Sequence, residues 1–311
     1  MRSGKTEMRR LSDQEVLSIA EEKKKPILGR KSGILFTQMI IDVHSHNFPP
    51  QIAARALSAL VHRTGDTLQP SADGTLYNQL DHMEKAGVDR AVMCPVATKP
   101  AQHGVILRTA IAIRDGELGE RASRMIVPFA SLHPADEDAT AHLEEIAAAG
   151  IRGIKIHPYY QEFSLSDPSV WPIFRVAASL GLVVQCHCGY DIGYPGRYDA
   201  CGPKDIAAFL RNVPGVKFIA AHLGGCSGFA PHATDEIMDL GCWADTSALA
   251  RNWSRDEEMR LCRSWPTERL LYGTDFPWVS YEESLRWVKS MRDEKDWFRV
   301  LGENARELLG L

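Results

Sequence analysis

The chain has 311 residues, 44% of them hydrophobic and 24% charged, with a formal net charge of −4. These are the proportions of a soluble globular protein with room for one large domain or two ordinary ones, and the charge argues against nucleic acid or an anionic membrane surface as the main partner. No apolar run reaches the roughly 18–20 residues that span a bilayer, the start is charged and lacks the apolar core of a secretory signal, and seven scattered cysteines without a CxxC pair fit a reducing cytoplasm.

Residues 1–38 stand apart as a basic N-terminal extension. A helix is predicted there from Ser12, which has capping-box spacing with Glu15, to the lysine run Lys23–Lys25. From Met39 onward, short β-rich apolar runs alternate with helical patterns. The predicted strands are "MIIDVHSH" (39–46), "VDRAVMCPV" (88–96), "MIVPFASLH" (125–133) and "IRGIKIHP" (151–158), then "LVVQCH" (182–187), "VKFIAAH" (216–222), "CWADTS" (242–247) and "RLLYGTD" (269–275). Helical patterns lie at 76–87, 136–150, 168–181, 203–213 and 281–292, with Gly87, Gly150 and Gly181 where helix C-caps are expected. Eight strand–helix units over 39–311 predict an α/β fold, a (β/α)8 TIM barrel. A doubly wound open sheet is the runner-up, but its usual Gly-rich loop after the first strand is missing.

In such a barrel the C-terminal strand ends build the active site, and there this chain concentrates its ionisable residues. The first strand ends in His44 and His46, the fourth carries Lys155 and His157, and the fifth and sixth end in His187 and His222. Asp245 and Asp275 end the seventh and eighth. Period-two alternation places His44 with His46 on one face, and Lys155 with His157 on another. Any one of these histidines alone reads as hydrogen-bonded packing, as do His62, His82, His103, His133, His142 and His232. Cys186 and Cys188, flanking His187, read as packing residues as well. Convergence changes the balance. Four imidazoles and two carboxylates buried at one mouth would cost several kcal/mol without a partner, and a divalent metal removes that cost. Imidazole plus carboxylate suits zinc first, with manganese or iron as alternatives.

HxH on the first strand, single histidines on the fifth and sixth, "GTDFP" on the eighth and the terminal "LGENARELLGL" together resemble the amidohydrolase superfamily. The resemblance is to its amidohydrolase-related branch, which includes aminocarboxymuconate-semialdehyde decarboxylase, and it covers residues 39–311. It implies that His44, His46, His187 and Asp275 hold one metal, with His222 beside a bound water as general acid/base and Asp275 sharing the catalytic role. Lys155 and His157 depart from the decarboxylase pattern. They imply either a second, bridged metal or a cation for a substrate carboxylate, and the unmodified, one-metal reading is preferred.

Two reactions share this expected site. In the first, metal-activated water attacks a carbonyl of a small organic substrate, making the protein a hydrolase. In the alternative, a non-oxidative decarboxylase, the metal holds a small carboxylic acid while His222 or Asp275 protonates carbon. "GIKIHP" tips the sequence reading toward hydrolysis. Decarboxylation calls for cations near the mouth, and Arg197 and Arg251 lie in suitable loops, where they also read as solvated charges. Tyr159, Tyr160, Trp278 and Phe48 follow strand ends and are candidate pocket residues. A metal-binding barrel without catalysis is a third reading, against which His222 and Asp275 argue. A small-molecule substrate and a homo-oligomer complete the expectations.

Overall fold

The computed structural model describes residues 29–31, 34–36, 38–197, 200–225, 232–247 and 255–311. The helix predicted from Ser12 lies outside the described residues, and so does Arg251. The chain groups into two units, Met1–Gln38 and Met39–Leu311. In the first, Gly29–Lys31 pairs antiparallel with Ile34–Phe36.

The second unit is a TIM barrel. Its strands are β1 (Ile41–Ser45), β2 (Arg90–Met93), β3 (Ile126–Pro128), β4 (Gly153–Ile156), β5 (Val183–Cys186), β6 (Lys217–Ala220), β7 (Trp243–Asp245) and β8 (Leu270–Leu271). All neighbouring pairs run parallel. The β3–β4 seam closes through Ala130, which pairs with Ile154. The β8–β1 seam closes through Val43 N–H to the Tyr272 carbonyl (2.9 Å) and Asp275 N–H to the His44 carbonyl (2.8 Å). β3 is the shortest of the first six strands, and Phe129 N–H extends its pairing to the Met93 carbonyl (3.1 Å).

Helices α1 (Pro50–Arg63), α2 (Leu76–Ala86), α3 (His103–Arg114), α4 (Glu120–Met125), α5 (Ala139–Ala148), α6 (Trp171–Ser179) and α7 (Pro203–Asn212) follow in order, and α8 (Tyr281–Met291) and α9 (Asn304–Leu309) lie near the C-terminus. Thr75 caps α2 by accepting from Asn78 N–H, and Gly87 ends it at φ 70°, a left-handed angle a side chain would resist.

Inside the strands, Ile41, Val43, Val92, Val127, Phe129, Val183, Ile219 and Leu271 pack together with Ala305, Leu308 and Leu309 of α9. β4 contributes Gly153 to this layer. A Cβ there would stand 2.6 Å from Phe129 Cζ and 2.6 Å from the Val183 carbonyl oxygen, so the glycine makes room for the Phe129 ring. Ile154 and Ile156 belong instead to the larger cluster shared with the helices, as period two requires of positions flanking Lys155. The alternation is interrupted on β1, where the register shifts between Asp42 and Ser45. Val43 joins the apolar layer while its neighbour His44 enters the polar layer above it.

Candidate active site

The polar layer begins with His46. Its Nδ1 lies 2.8 Å from the Cys94 carbonyl, an acceptor with no proton to give, so Nδ1 carries the ring hydrogen. Its Nε2 is 3.1 Å from Asp275 Oδ1. His44 is arranged the same way. Its Nδ1 is 3.0 Å from Asp245 Oδ2, and its Nε2 faces Asp275 Oδ1 at 3.4 Å. Burial, reinforced by the Lys155 charge, pushes the His44 pKa down to about 4, so its ring is neutral at pH 7.

Two imidazole nitrogens and a carboxylate therefore converge, an arrangement that needs positive charge among them, from a proton or a cation. Lys155 Nζ, 2.8 Å from His44 Nε2, supplies one positive charge from a fully buried position. The ligand atoms of His44, His46 and Asp275 lie within 4.8 Å of one another. This donor set fits a divalent metal ion.

Asp245 sets the orientation of the layer. It accepts from His222 N–H (3.0 Å), Ser247 N–H (3.1 Å) and Gln185 Nε2 (3.0 Å), and from the Ser247 hydroxyl. Burial alone would raise its pKa, but the hydrogen bond from His44 and the nearby Lys155 charge outweigh that, and the carboxyl is held below the usual range. Asp275 is displaced in the same direction: burial opposes ionisation, and His44 and His46 override it.

His222 follows β6 at φ 57°, and Asp275 has φ 64°. Non-glycine residues rarely hold such angles, and those that do concentrate at functional sites. His222 Nδ1 lies 3.1 Å from the Ser247 carbonyl, and its Nε2 is 3.0 Å from His187 Nδ1. With the Nδ1 hydrogen donated to Ser247, Nε2 accepts from His187. That leaves His187 Nε2 as a buried lone pair with no hydrogen-bond partner in the protein.

The four donors expected to share one ion are thus not one quartet. His187 stands outside the His44–His46–Asp275 group and stacks on His157 at 4.0 Å between ring centroids. Both residues sit at predicted strand ends, but position along a strand does not determine depth or rotamer. His157 Nε2 meets Asp191 Oδ2 at 3.2 Å, and His157, His187 and Asp191 form a second convergent group. Burial lowers the pKa of both histidines well below the ordinary value.

Above this layer opens a cavity of about 1130 Å³ whose lining includes His44, His46, Lys155, His157, His187, His222 and Asp275, together with Phe48, Tyr160 and Trp278. Two expected pocket residues are misplaced. Tyr159 is buried, its hydroxyl on the Arg197 carbonyl (3.2 Å), while its neighbour Tyr160 lines the cavity. Arg197 lies over the Tyr159 ring at 5.4 Å and is not among the lining residues.

Residues 41–311 match the family model for amidohydrolases. The chain belongs to the amidohydrolase family. No curated protein matches its sequence. Among solved structures, this amidohydrolase is similar to an uncharacterised TIM-barrel protein from Bordetella bronchiseptica, with TM-score 0.68, 18% identity, and 88% of this chain and 98% of that chain covered. It is also similar to 5-carboxyvanillate decarboxylase from Sphingomonas paucimobilis, with TM-score 0.65, 13% identity, and 88% and 99% covered. A third similar structure is a dihydroxybenzoic acid decarboxylase from Polaromonas sp. JS666 with bound manganese and the inhibitor 2-nitroresorcinol, with TM-score 0.61, 15% identity, and 88% and 97% covered.

One lining residue of the amidohydrolase escaped sequence reasoning altogether. Arg63, the last residue of α1, faces the Tyr160 and Tyr194 rings at 5.6 and 5.1 Å and donates to the Tyr194 hydroxyl at 2.7 Å. Ser247 was read only as the end of a strand. Its hydroxyl in fact lies 2.8 Å from His44 Nδ1 and 2.9 Å from His222 Nδ1.

Proposed function

We propose that this amidohydrolase is a metal-dependent, non-oxidative decarboxylase acting on a small carboxylated aromatic acid. The observation that carries the reading is a pair of cations, Arg63 and Lys155, lining one cavity whose remaining walls are rich in aromatic and aliphatic side chains. The apolar walls suit a ring, and the cations suit its carboxylate. The decarboxylases among the similar structures support the same choice. The sequence reading ranked hydrolysis first, but a neutral amide or lactone brings no negative charge to the two cations in the cavity.

His44, His46 and Asp275 would hold the ion, with the unpartnered His187 Nε2 as a further donor nearby. Zinc suits the imidazole-rich set best, with manganese or iron as alternatives. A divalent ion so held supplies Lewis-acid charge that orients the acid and polarises its oxygens. Arg63 and Lys155 fix the carboxylate, and the apolar walls hold the ring. His222, anchored through Nδ1 on Ser247, passes on from Nε2 the proton that Nε2 takes from His187 Nδ1. The bond between ring carbon and carboxylate breaks, carbon dioxide leaves, and the electron pair left on the ring carbon takes the His222 proton.

The test is incubation with hydroxylated benzoic acids, lactones and cyclic amides while carbon dioxide is monitored. Gas release with formation of the decarboxylated ring is expected. Ring opening of a lactone or amide without gas would return the assignment to hydrolysis.

A further inference from the structure

On the outside of the barrel, two more histidines and a carboxylate converge. His103 opens α3, and His142 and Glu145 are three residues apart on α5, hence on one helix face. The two rings stack at 3.8 Å, with 16° between their planes. One ligand atom from each of the three residues lies within 4.8 Å of the others.

The protonation pattern indicates what this arrangement lacks. His103 Nδ1 is 3.3 Å from the Ser131 carbonyl, and its Nε2 is 3.2 Å from Glu145 Oε2. Both partners are pure acceptors, so a neutral ring satisfies one and turns a lone pair on the other. His142 Nδ1 likewise faces a carboxylate, Asp136 Oδ2, at 3.2 Å. His103 thus commits Nδ1 to a carbonyl, while His142 Nδ1 is buried without a hydrogen-bond partner. Outer partners of this kind fix the tautomer of metal-bound histidines.

We propose that His103, His142 and Glu145 form a second site for a divalent transition-metal ion, separate from the active site. Two imidazoles and one carboxylate are the donor set of zinc and related borderline ions. The site joins α3 to α5, and α3 carries Ile106 and Thr109 in the wall of the active cavity. An ion there clamps that wall from behind. The competing arrangement is metal-free, with His103 held as an imidazolium between Ser131 and Glu145.

The experiment is zinc stoichiometry on full-length protein, stripped with chelator, equilibrated with zinc chloride and dialysed. Wild type is compared with Glu145→Gln and His142→Gln. Glu145 is more than half exposed, so Glu145→Gln leaves the fold intact, and melting of the stripped proteins verifies it. Each variant is expected to hold one equivalent fewer than wild type, whatever number the active site binds. Equal stoichiometry in wild type and either folded variant overturns the site and identifies the imidazolium contact instead.

Discussion

Asp275 Oδ1 lies 3.1 Å from His46 Nε2, while the other nitrogen of that ring is committed to the Cys94 carbonyl. An imidazole nitrogen and a carboxylate held face to face mark a place for a cation. The strand end at Cys94 and the left-handed turn at Asp275 are what hold them there.

Orientation of His44 depends on Asp245, so Asp245→Asn tests the support around the proposed ion. The ion's affinity should fall about 10–100-fold, the usual effect of losing such a partner. Chelator-competition titration reads it, and an unchanged affinity would show that Asp245 does not position His44.

Arg63 is assigned to the substrate carboxylate. Arg63→Ala should raise KM for the carboxylated substrate about 10–100-fold, the worth of a charge-assisted hydrogen bond, without changing metal content. Arg63→Lys should recover part of the loss. Steady-state kinetics with metal analysis decides, and a KM unaffected by Arg63→Ala would remove the residue from the site.

His222→Asn should lower kcat about 10²–10⁴-fold, the range expected for a general acid/base, with the ion retained. Loss of the ion instead would make His222 a ligand.

Stability of the chelator-treated protein should depend on pH through its buried histidines. His44 titrates near 4 in the fold against an ordinary 6.5, and His157 and His187 are displaced the same way. The unfolded chain therefore takes up protons first as pH falls. The stability of these groups is present above pH 6.5 and drains away toward pH 4, about 3 kcal/mol for His44 alone. Thermal melts between pH 7.5 and about 4.5 should show a steadily falling Tm, whereas a flat profile would contradict neutral burial.

Gly153→Ala places a methyl against Phe129 and the Val183 carbonyl at 2.6 Å. Overpacking of this kind costs about 1–3 kcal/mol, or several degrees of Tm in a domain of this size. An unchanged melting temperature would show that both the Phe129 ring and the Val183 strand give way.

What could be read from the sequence was whatever depends on period and strand order. His44, His46, Lys155, His187, His222 and Asp275 sit at strand ends, and a closed barrel brings strand ends together whatever the loops do. Arg63 could not be found this way. It lies on a helix with no strand register, and its partner Tyr194 is 131 residues distant. His187 shows the limit in the other direction, since its place at a strand end could not tell that it would stack on His157. His103 and His142 looked like packing because no local pattern couples α3 to α5.

Anomalous diffraction from crystals of the metal-loaded protein, recorded at the absorption edge of the ion, tests the central claim directly. The account predicts a peak among His44 Nε2, His46 Nε2 and Asp275 Oδ1. A peak held by His157, His187 and Asp191 instead, with none at that position, would contradict it.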